Sequence, residues 1–319
     1  MCIRDRILIV GGSGFIGKNL VKNYLKDKLN YIISVDKENL NLKDPNLKSY
    51  VFDVKDYSQL EKIILDFTPN IIINTAAKCD LEGTNIEDYC INYELPSNII
   101  NTINLNASFD PIVLFFSTML VYKVGYNDES NIGYNPDTPY GKSKLLMEKL
   151  IKKDTNCRWI IVRPTSIWGP GFTTYKNFFL SVKNKWFFKI KNTYPKKSYG
   201  FIYNIVHQIN SIINYENSVG KVFYLGDYDP MIINKWADII ADEWGVRRPY
   251  SISKFILYPV SIIGTILNKI GIKFPLTIFR YNNMTTENYI NKDLTKKICP
   301  ELPFTQKEAV NLTIKYLKK

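Results

Sequence analysis

The chain opens on an apolar, β-branched run, Ile7-Leu8-Ile9-Val10, that breaks into glycines and then into mixed apolar and polar positions. The pattern predicts strand, tight turn and helix in succession. Similar runs recur at 31–35, 48–54, 71–77, 111–116 and 159–163, with helical periodicity over 57–67, 87–105 and 140–152. Short strands buried on both faces read as near-continuous apolar runs, so the rhythm predicts a parallel sheet covered by helices on both sides. Pro96 is expected to interrupt the 87–105 helix, because its ring nitrogen has no proton to donate.

The βα rhythm stops after Arg163. Residues 164–195 are aromatic and punctuated by Gly and Pro, 201–213 read as helix, 221–225 as strand, and the remainder as mainly helical and basic. The expected fold class is α/β: a doubly wound parallel sheet from residues 1–165 with 201–226, and a smaller, mainly helical lid from 166–200 with 227–319. The most apolar window, 255–267, contains Pro259 and Gly264 and is too short to span a bilayer. It is expected to be a buried or interfacial helix, and no transmembrane segment is expected.

The first turn carries the first chemistry. Gly12-x-Gly14-x-x-Gly17 fits a dinucleotide fingerprint, and Gly11-x-x-Gly14-x-x-Gly17 fits its short-chain dehydrogenase variant. Either register puts unhindered backbone where a pyrophosphate approaches, with the N–H groups of the helix start, around Phe15 and Ile16, facing its charge. Asp36, at the end of the second strand, lies about 20 residues further on, where a carboxylate accepts the ribose hydroxyls. It also repels a 2′-phosphate, which favours NAD over NADP, although Lys37 beside it offers a cation. The sheet is therefore expected to be of Rossmann type.

Bulk properties narrow the classes. With 319 residues, 45% of them hydrophobic, the chain can bury a large core. Five scattered cysteines without a C-x-x-C pair and a single histidine, His207, give neither a zinc site nor a disulfide framework, and a reducing cytoplasm is the simplest compartment. The net charge of +12 is spread along the chain rather than clustered, so no nucleic-acid partner is expected. The short, charged segment 1–6 runs straight into the first strand and is not expected to act as a secretory leader.

Tyr140 and Lys144 stand at i and i+4, so on a helix their side chains share one face, a turn apart. A phenol with a pKa near 10 must lose about 3 units to act as a base at neutral pH, about 4 kcal/mol. An ammonium about 5 Å away supplies about 3 kcal/mol at an effective dielectric of about 20, and the positive nicotinamide of an oxidised cofactor can add the rest. A hydroxyl must also hold the reacting C–O group, and Ser117 or Thr118, past the fifth strand, is placed for this.

Glycine turn, Ser/Thr after the strand and Tyr-x-x-x-Lys in this order resemble an extended short-chain dehydrogenase/reductase of the NAD-dependent epimerase/dehydratase family, which acts mostly on nucleotide sugars. Gly11, Gly14 and Gly17 match the family's phosphate loop, Asp36 its ribose carboxylate, and Asp53-Val54 its adenine-contacting pair. Asn74-Thr75-Ala76-Ala77 is similar to its H-x-A-A strand end, and Asn92 to its helix asparagine. Ser117-Thr118-Met119-Leu120-Val121-Tyr122 resembles its S-[ST]-x-x-V-Y element, which implies the catalytic hydroxyl at Thr118. Tyr140 and Lys144 match its general acid/base and helper. The cofactor-binding set is Gly11, Gly14, Phe15, Ile16, Gly17, Asp36, Asp53, Val54, Ala76, Ala77, Asn92, Ser117, Tyr140, Lys144 and Pro164.

Departures from the family pattern concern the lid. Ser166 stands where an asparagine usually contacts substrate, Lys197 replaces a substrate-facing arginine, and Asn204 replaces a common aspartate. Arg280 is a further candidate for the substrate's diphosphate. Met119 and Leu120 occupy the places of the acid and base of the family's 4,6-dehydratases, and neither moves a proton. The resemblance thus implies an NAD-dependent nucleotide-sugar epimerase and a homodimer through the helices at about 87–105 and 140–153. The alternatives are a 4-ketoreductase, a hydroxysteroid-type dehydrogenase with 255–267 lining its pocket, and a non-catalytic dinucleotide sensor. No metal is expected.

Overall fold

In the computed structural model, which describes residues 5–106, 109–123, 125, 133–153, 156–272 and 274–319, the βα alternation runs through the first half of the chain. The order is β1 (Arg6–Val10), α1 (Phe15–Tyr24), β2 (Tyr31–Asp36), β3 (Leu47–Val51), α2 (Tyr57–Phe67), β4 (Ile71–Asn74), α3 (Ile91–Asn104), β5 (Ile112–Phe116), α4 (Pro139–Lys153) and β6 (Arg158–Pro164). Short elements follow: β7 (Ser166–Trp168), α5 (Thr173–Lys183), β8 (Lys189–Ile190), β9 (Lys196–Lys197) and β10 (Tyr199–Phe201). Then come α6 (Ile202–Ile213), β11 (Val222–Leu225), β12 (Met231–Ile232), α7 (Ile233–Trp244) and β13 (Ser251–Ile252). Four helices end the chain: α8 (Lys254–Lys269), α9 (Ile278–Thr285), α10 (Asp293–Ile298) and α11 (Gln306–Leu317).

Seven strands form one sheet in the order β11-β6-β5-β4-β1-β2-β3, and every neighbouring pair is parallel. The chain winds outward from β1 through β2 to β3, then returns to β4 on the other side of β1. That reversal is a topological switch point, and a crevice opens beyond the carboxyl ends of β1 and β4.

The unbroken apolar strands are explained by two cores. Ile7 and Ile9 pack with Leu20 of α1 and with Ile205 and Ile209 of α6. Leu8 and Val10, on the opposite face, pack with Ile64 of α2, Leu95 and Ile99 of α3, and Met147 of α4. Each such side chain removed from water contributes about 1.5–3 kcal/mol, so a polar substitution on either face of β1 is costly. The first core continues into an aromatic cluster under the C-terminal helices, where Trp236 of α7 meets Trp168 at 4.9 Å and Phe178 of α5 at 5.0 Å between ring centroids.

Three local expectations are revised. The helix expected over 87–105 is a short turn at Glu87–Tyr89 followed by α3, and Pro96 sits inside α3 without ending it. Pro96 is buried within α3, which continues past it despite the one backbone hydrogen bond that it forgoes. β3 stops at Val51, because Asp53 turns back to accept from the Lys55 amide at 3.0 Å. β4 stops at Asn74, where Thr75 turns to cap β1, its Oγ1 donating to the carbonyls of Val10 and Gly11 at 3.0 and 2.9 Å.

The window at 255–267 forms most of α8, and burial fails there. Only Leu257, Ser261 and Gly264 of that helix are buried. Among the described residues no helix is long and apolar enough to cross a membrane.

Candidate active site

The glycine turn converts β1 into α1 within four residues. Gly11 has φ +88°, in the left-handed region, and a Cβ there would meet the Ala76 nitrogen at 2.6 Å. A Cβ on Gly17 would lie 2.1 Å from the Gly11 carbonyl oxygen, so α1 can seat on the turn only without one. The N-cap, Gly14, supplies no side-chain acceptor. The first-turn N–H groups of Phe15, Ile16 and Gly17 lie beyond the reach of intrahelical carbonyls and, with the helix dipole, suit a diphosphate.

Asp36 closes this cradle. Its carboxylate accepts from the Ser13 amide at 2.9 Å and the Glu38 amide at 3.2 Å, which fixes it at the end of β2 beside the turn. Exposed Asp53 and half-buried Val54 follow β3, and half-buried Ala76 and Ala77 follow β4, with the Ala76 amide donating to the Val10 carbonyl at 3.1 Å. A cradle closed to side chains with an acid at its rim fits the diphosphate and ribose of NAD. Pro164, half-buried, ends β6 across the switch point.

A second cluster gathers at the carboxyl end of β5. Thr118 caps the short turn Met119–Val121, accepting from the Leu120 amide at 3.2 Å, and its hydroxyl lies beside the Tyr140 phenol. Lys144, one turn beyond Tyr140 on α4, is buried and donates from Nζ to the Phe116 carbonyl at 2.7 Å. Hydroxyl, phenol and ammonium thus share one strand end.

The electrostatics differ from the simple Tyr–Lys argument. Burial raises the Tyr140 phenol well above its ordinary value, nearby Cys79 adds to this, and the Thr118 hydroxyl opposes it only in part. Burial also pushes Lys144 down to about 8, against the pull of Cys79 and Glu148. Desolvation, and not the Lys144 ammonium, sets the direction of the phenol's shift in the protein alone, so a base role for Tyr140 needs positive charge beyond Lys144.

Two neighbours hold α4 in place. Asn92 of α3 donates from its amide to the Lys78 carbonyl at 2.9 Å and to Ser143 Oγ at 3.0 Å, while accepting from the Lys78 amide at 2.8 Å. Glu148, one turn beyond Lys144, accepts from Ser117 Oγ at 2.6 Å and from Arg163 Nε at 2.8 Å, and its other oxygen takes Arg163 Nη2 at 2.6 Å and Lys152 Nζ at 3.0 Å. Sequence reasoning missed Glu148, although its spacing of i, i+4, i+8 with Tyr140 and Lys144 marks one helix face.

The substrate-side candidates are less closely gathered. Lys197 is buried, donates from Nζ to Asn283 Oδ1 at 3.0 Å, and is pushed down to about 8 by burial. Ser166 is exposed on β7, beside Tyr175. Arg280, also exposed, sits one turn before Asn283 on α9 and donates to the Pro275 carbonyl at 2.7 Å. Phe172, at the start of α5, stacks on Phe15 at 4.7 Å and covers the helix start beside the glycine turn. Nothing in the spacing pointed to Asn283 or Phe172, since both pairings join distant segments. Among the described residues no group of three or more His, Cys, Asp or Glu side chains is placed to hold a metal ion.

Known proteins were compared with this chain. An N-acetyl-alpha-D-glucosaminyl-diphospho-ditrans,octacis-undecaprenol 4-epimerase of Escherichia coli O157:H7 is 22% identical, over 98% of the chain and 96% of its own length. A UDP-glucose 4-epimerase of Vibrio cholerae is 28% identical over 71% of the chain and 74% of its own length. A dTDP-D-glucose 4,6-dehydratase of Dictyostelium discoideum, also 28% identical, matches 70% of the chain and 58% of its own length. In fold, the chain is similar to the crystal structure of a UDP-glucuronic acid 4-epimerase from Bacillus cereus in complex with UDP-glucuronic acid and NAD, with a TM-score of 0.74 at 15% identity over 98% of this chain and 99% of that one. The sequence model of the NAD-dependent epimerase/dehydratase family matches residues 7–198, from the first strand to just past β9, and with more than half of the chain so matched, the chain belongs to that family.

Proposed function

We propose that the protein is an NAD-dependent epimerase of a sugar carried on a diphosphate, with Thr118, Tyr140 and Lys144 at its reaction centre. The observation that carries this reading is that Thr118 lies beside the Tyr140 phenol just past β5 while Lys144, one turn further along α4, reaches the Phe116 carbonyl at the end of that strand, two strands from the glycine turn.

When bound, NAD supplies the acceptor and donor of hydride. Gly11, Gly14, Phe15, Ile16 and Gly17 hold its diphosphate, Asp36 its ribose, and Asp53 with Val54 its adenine side. Ala76, Ala77, Ser117 and Pro164 line the crevice, and Asn92 acts from behind by fixing α4. Thr118 holds the reacting sugar hydroxyl, and Tyr140 takes its proton and later returns it. Lys144, anchored on the Phe116 carbonyl, keeps positive charge at that end of α4. Lys197, Ser166 and Arg280 orient the diphosphate and sugar from the lid.

Three further assignments belong to this reading. Residues 1–165 with 201–226 form the cofactor half, and 166–200 with 227–319 the lid. Subunits pair through α3 and α4. Epimerisation is preferred over 4,6-dehydration because Met119 and Leu120 offer no acid or base. The undecaprenyl-diphosphate substrate named for the Escherichia coli relative, which matches nearly the whole chain, extends the substrate class from nucleoside diphosphates to polyprenyl diphosphates.

The test is to incubate the purified protein with NAD and UDP-glucose, UDP-N-acetylglucosamine or polyprenyl-diphospho-N-acetylglucosamine, and to follow the sugar by NMR. The reading predicts a 4-epimer with no net gain or loss of reduced NAD. Stoichiometric consumption of reduced cofactor would instead identify a 4-ketoreductase, and dehydration to a 4-keto-6-deoxy sugar would reject the assignment of Met119 and Leu120.

A further inference from the structure

Helix α8 is amphipathic in the reverse sense. Its packed strip, Leu257, Ser261 and Gly264, includes a hydroxyl and a glycine, and a Cβ on Gly264 would meet the Leu276 carbonyl oxygen at 2.0 Å, so the 274–276 segment lies directly against the helix. The outward positions are the large apolar ones: Phe255 is 79% exposed, Ile263 56%, Ile266 55% and, just past the helix, Ile270 67%. These residues follow each other at three-, four- and eight-residue steps and form one stripe, and Phe279 on the adjoining α9 is 76% exposed as well. A helix face turned to water ordinarily carries charge, and a contiguous exposed apolar face marks an interaction surface.

Along the sequence the segment that carries the stripe has charge of one sign. Between Glu243 and Glu287 the chain has no acidic residue and six basic ones, Arg247, Arg248, Lys254, Lys269, Lys273 and Arg280. Arg248 is paired with Asp242, whereas Lys254 and Lys269 are exposed at the two ends of α8. Pairing of this face with the same face of a second copy would bring cations against cations. We infer that α8 lies flat on an anionic lipid bilayer, with its isoleucines and Phe255 in the acyl boundary and its basic flanks among the headgroups. At 16 residues, about 24 Å at 1.5 Å per residue, α8 is too short to cross the bilayer, so it lies in the plane of the interface.

The surface connects to the candidate substrate side through one helix. On α9, Tyr281 packs on Tyr258 of α8 at 5.4 Å between ring centroids, and Asn283 accepts from Lys197. A diphosphate held at Lys197 thus lies one helix away from the bilayer. That a lipid-borne diphosphate sugar enters from there rests on the proposed function, whereas the docking of α8 does not.

The experiment is flotation of the full chain, loaded with NAD, with phosphatidylcholine vesicles and with vesicles containing about one quarter phosphatidylglycerol. Binding to the anionic vesicles is expected to be at least about tenfold stronger than to neutral ones and to weaken in high salt. A triple variant, Phe255→Asp with Ile263→Asp and Ile266→Asp, should lose binding at least about tenfold while keeping the wild-type melting temperature and NAD affinity, because all three side chains face outward. Lys254→Glu with Lys269→Glu should weaken binding to anionic vesicles only. Failure of the wild type to float with anionic vesicles overturns the inference, as does equal binding by the triple variant. A concentration-dependent oligomer that the triple variant abolishes, without vesicle binding, would assign the face to self-association instead. Vesicle binding is read without substrate, so its failure and the failure of the epimerase reading are separate results.

Discussion

Arg163 and Glu148 form a buried ion pair with Nη2 and Oε2 2.6 Å apart, joining the strand β6 to the helix that carries Tyr140 and Lys144. Through Ser117, which donates to the same carboxylate, the pair also fixes the residue next to Thr118. Removing one partner of such a pair costs about 3–5 kcal/mol where the other charge is left buried alone, and less here because Lys152 and Ser117 still face Glu148. Arg163→Met is therefore expected to lower the urea midpoint of unfolding by a corresponding amount. A double change that also replaces Glu148 should be less damaging than the single changes add up to.

The same pair sets an acid limit. Burial alone would raise the Glu148 carboxyl, but hydrogen bonds and charge from Arg163, with Ser117 and Lys152, hold it below the usual carboxylate range. A carboxyl depressed on folding contributes stability above its unfolded pKa, about 4.5, and loses it as pH falls through the folded value. Equilibrium unfolding measured from neutral pH downward should show wild-type stability falling below about pH 4.5, and Glu148→Gln should flatten that fall.

Gly17→Ala tests the cradle. The added methyl must displace the Gly11 carbonyl, which a Cβ would approach to 2.1 Å. Overpacking of this kind costs about 1–3 kcal/mol, so NAD affinity measured by calorimetric titration should fall roughly ten- to hundredfold. Unchanged affinity would move the diphosphate elsewhere.

Asp36 decides between the two dinucleotides in this account. The wild type is expected to bind NAD at least about tenfold more tightly than NADP, because a 2′-phosphate would meet the carboxylate. Asp36→Ser should narrow the ratio, mainly by weakening NAD, since the carboxylate also holds the Ser13 amide. Equal wild-type affinities would contradict the role given to Asp36.

The strands and the glycine turn were legible because their signals are local: unbroken apolar runs for β1, β2, β4 and β5, and a glycine spacing that only one backbone geometry explains. Tyr140 and Lys144 were legible for the same reason, since four residues on a helix fix a shared face. Pro96 misled, because it sits buried inside a helix that continues past it, and that burial is set by tertiary packing rather than by local sequence. The Tyr140 phenol misled too: the Lys144 charge could be estimated from spacing, whereas desolvation depends on how Tyr89, whose ring packs at 5.9 Å, and the rest of the crevice wall close over it. Lys197 with Asn283, Phe15 with Phe172, and the outward turn of the α8 isoleucines are set by contacts between remote segments, and no pattern along the chain encodes them.

The measurement that bears most directly on the central claim is turnover of Tyr140→Phe on the substrate identified for the wild type, with NAD affinity determined on the same sample. Removal of the phenolic hydroxyl takes away the group that moves the proton while leaving the ring that packs on Tyr89. Turnover is expected to fall at least about a hundredfold with NAD affinity unchanged; turnover close to that of the wild type would show that the phenol is not the acid and base of this site.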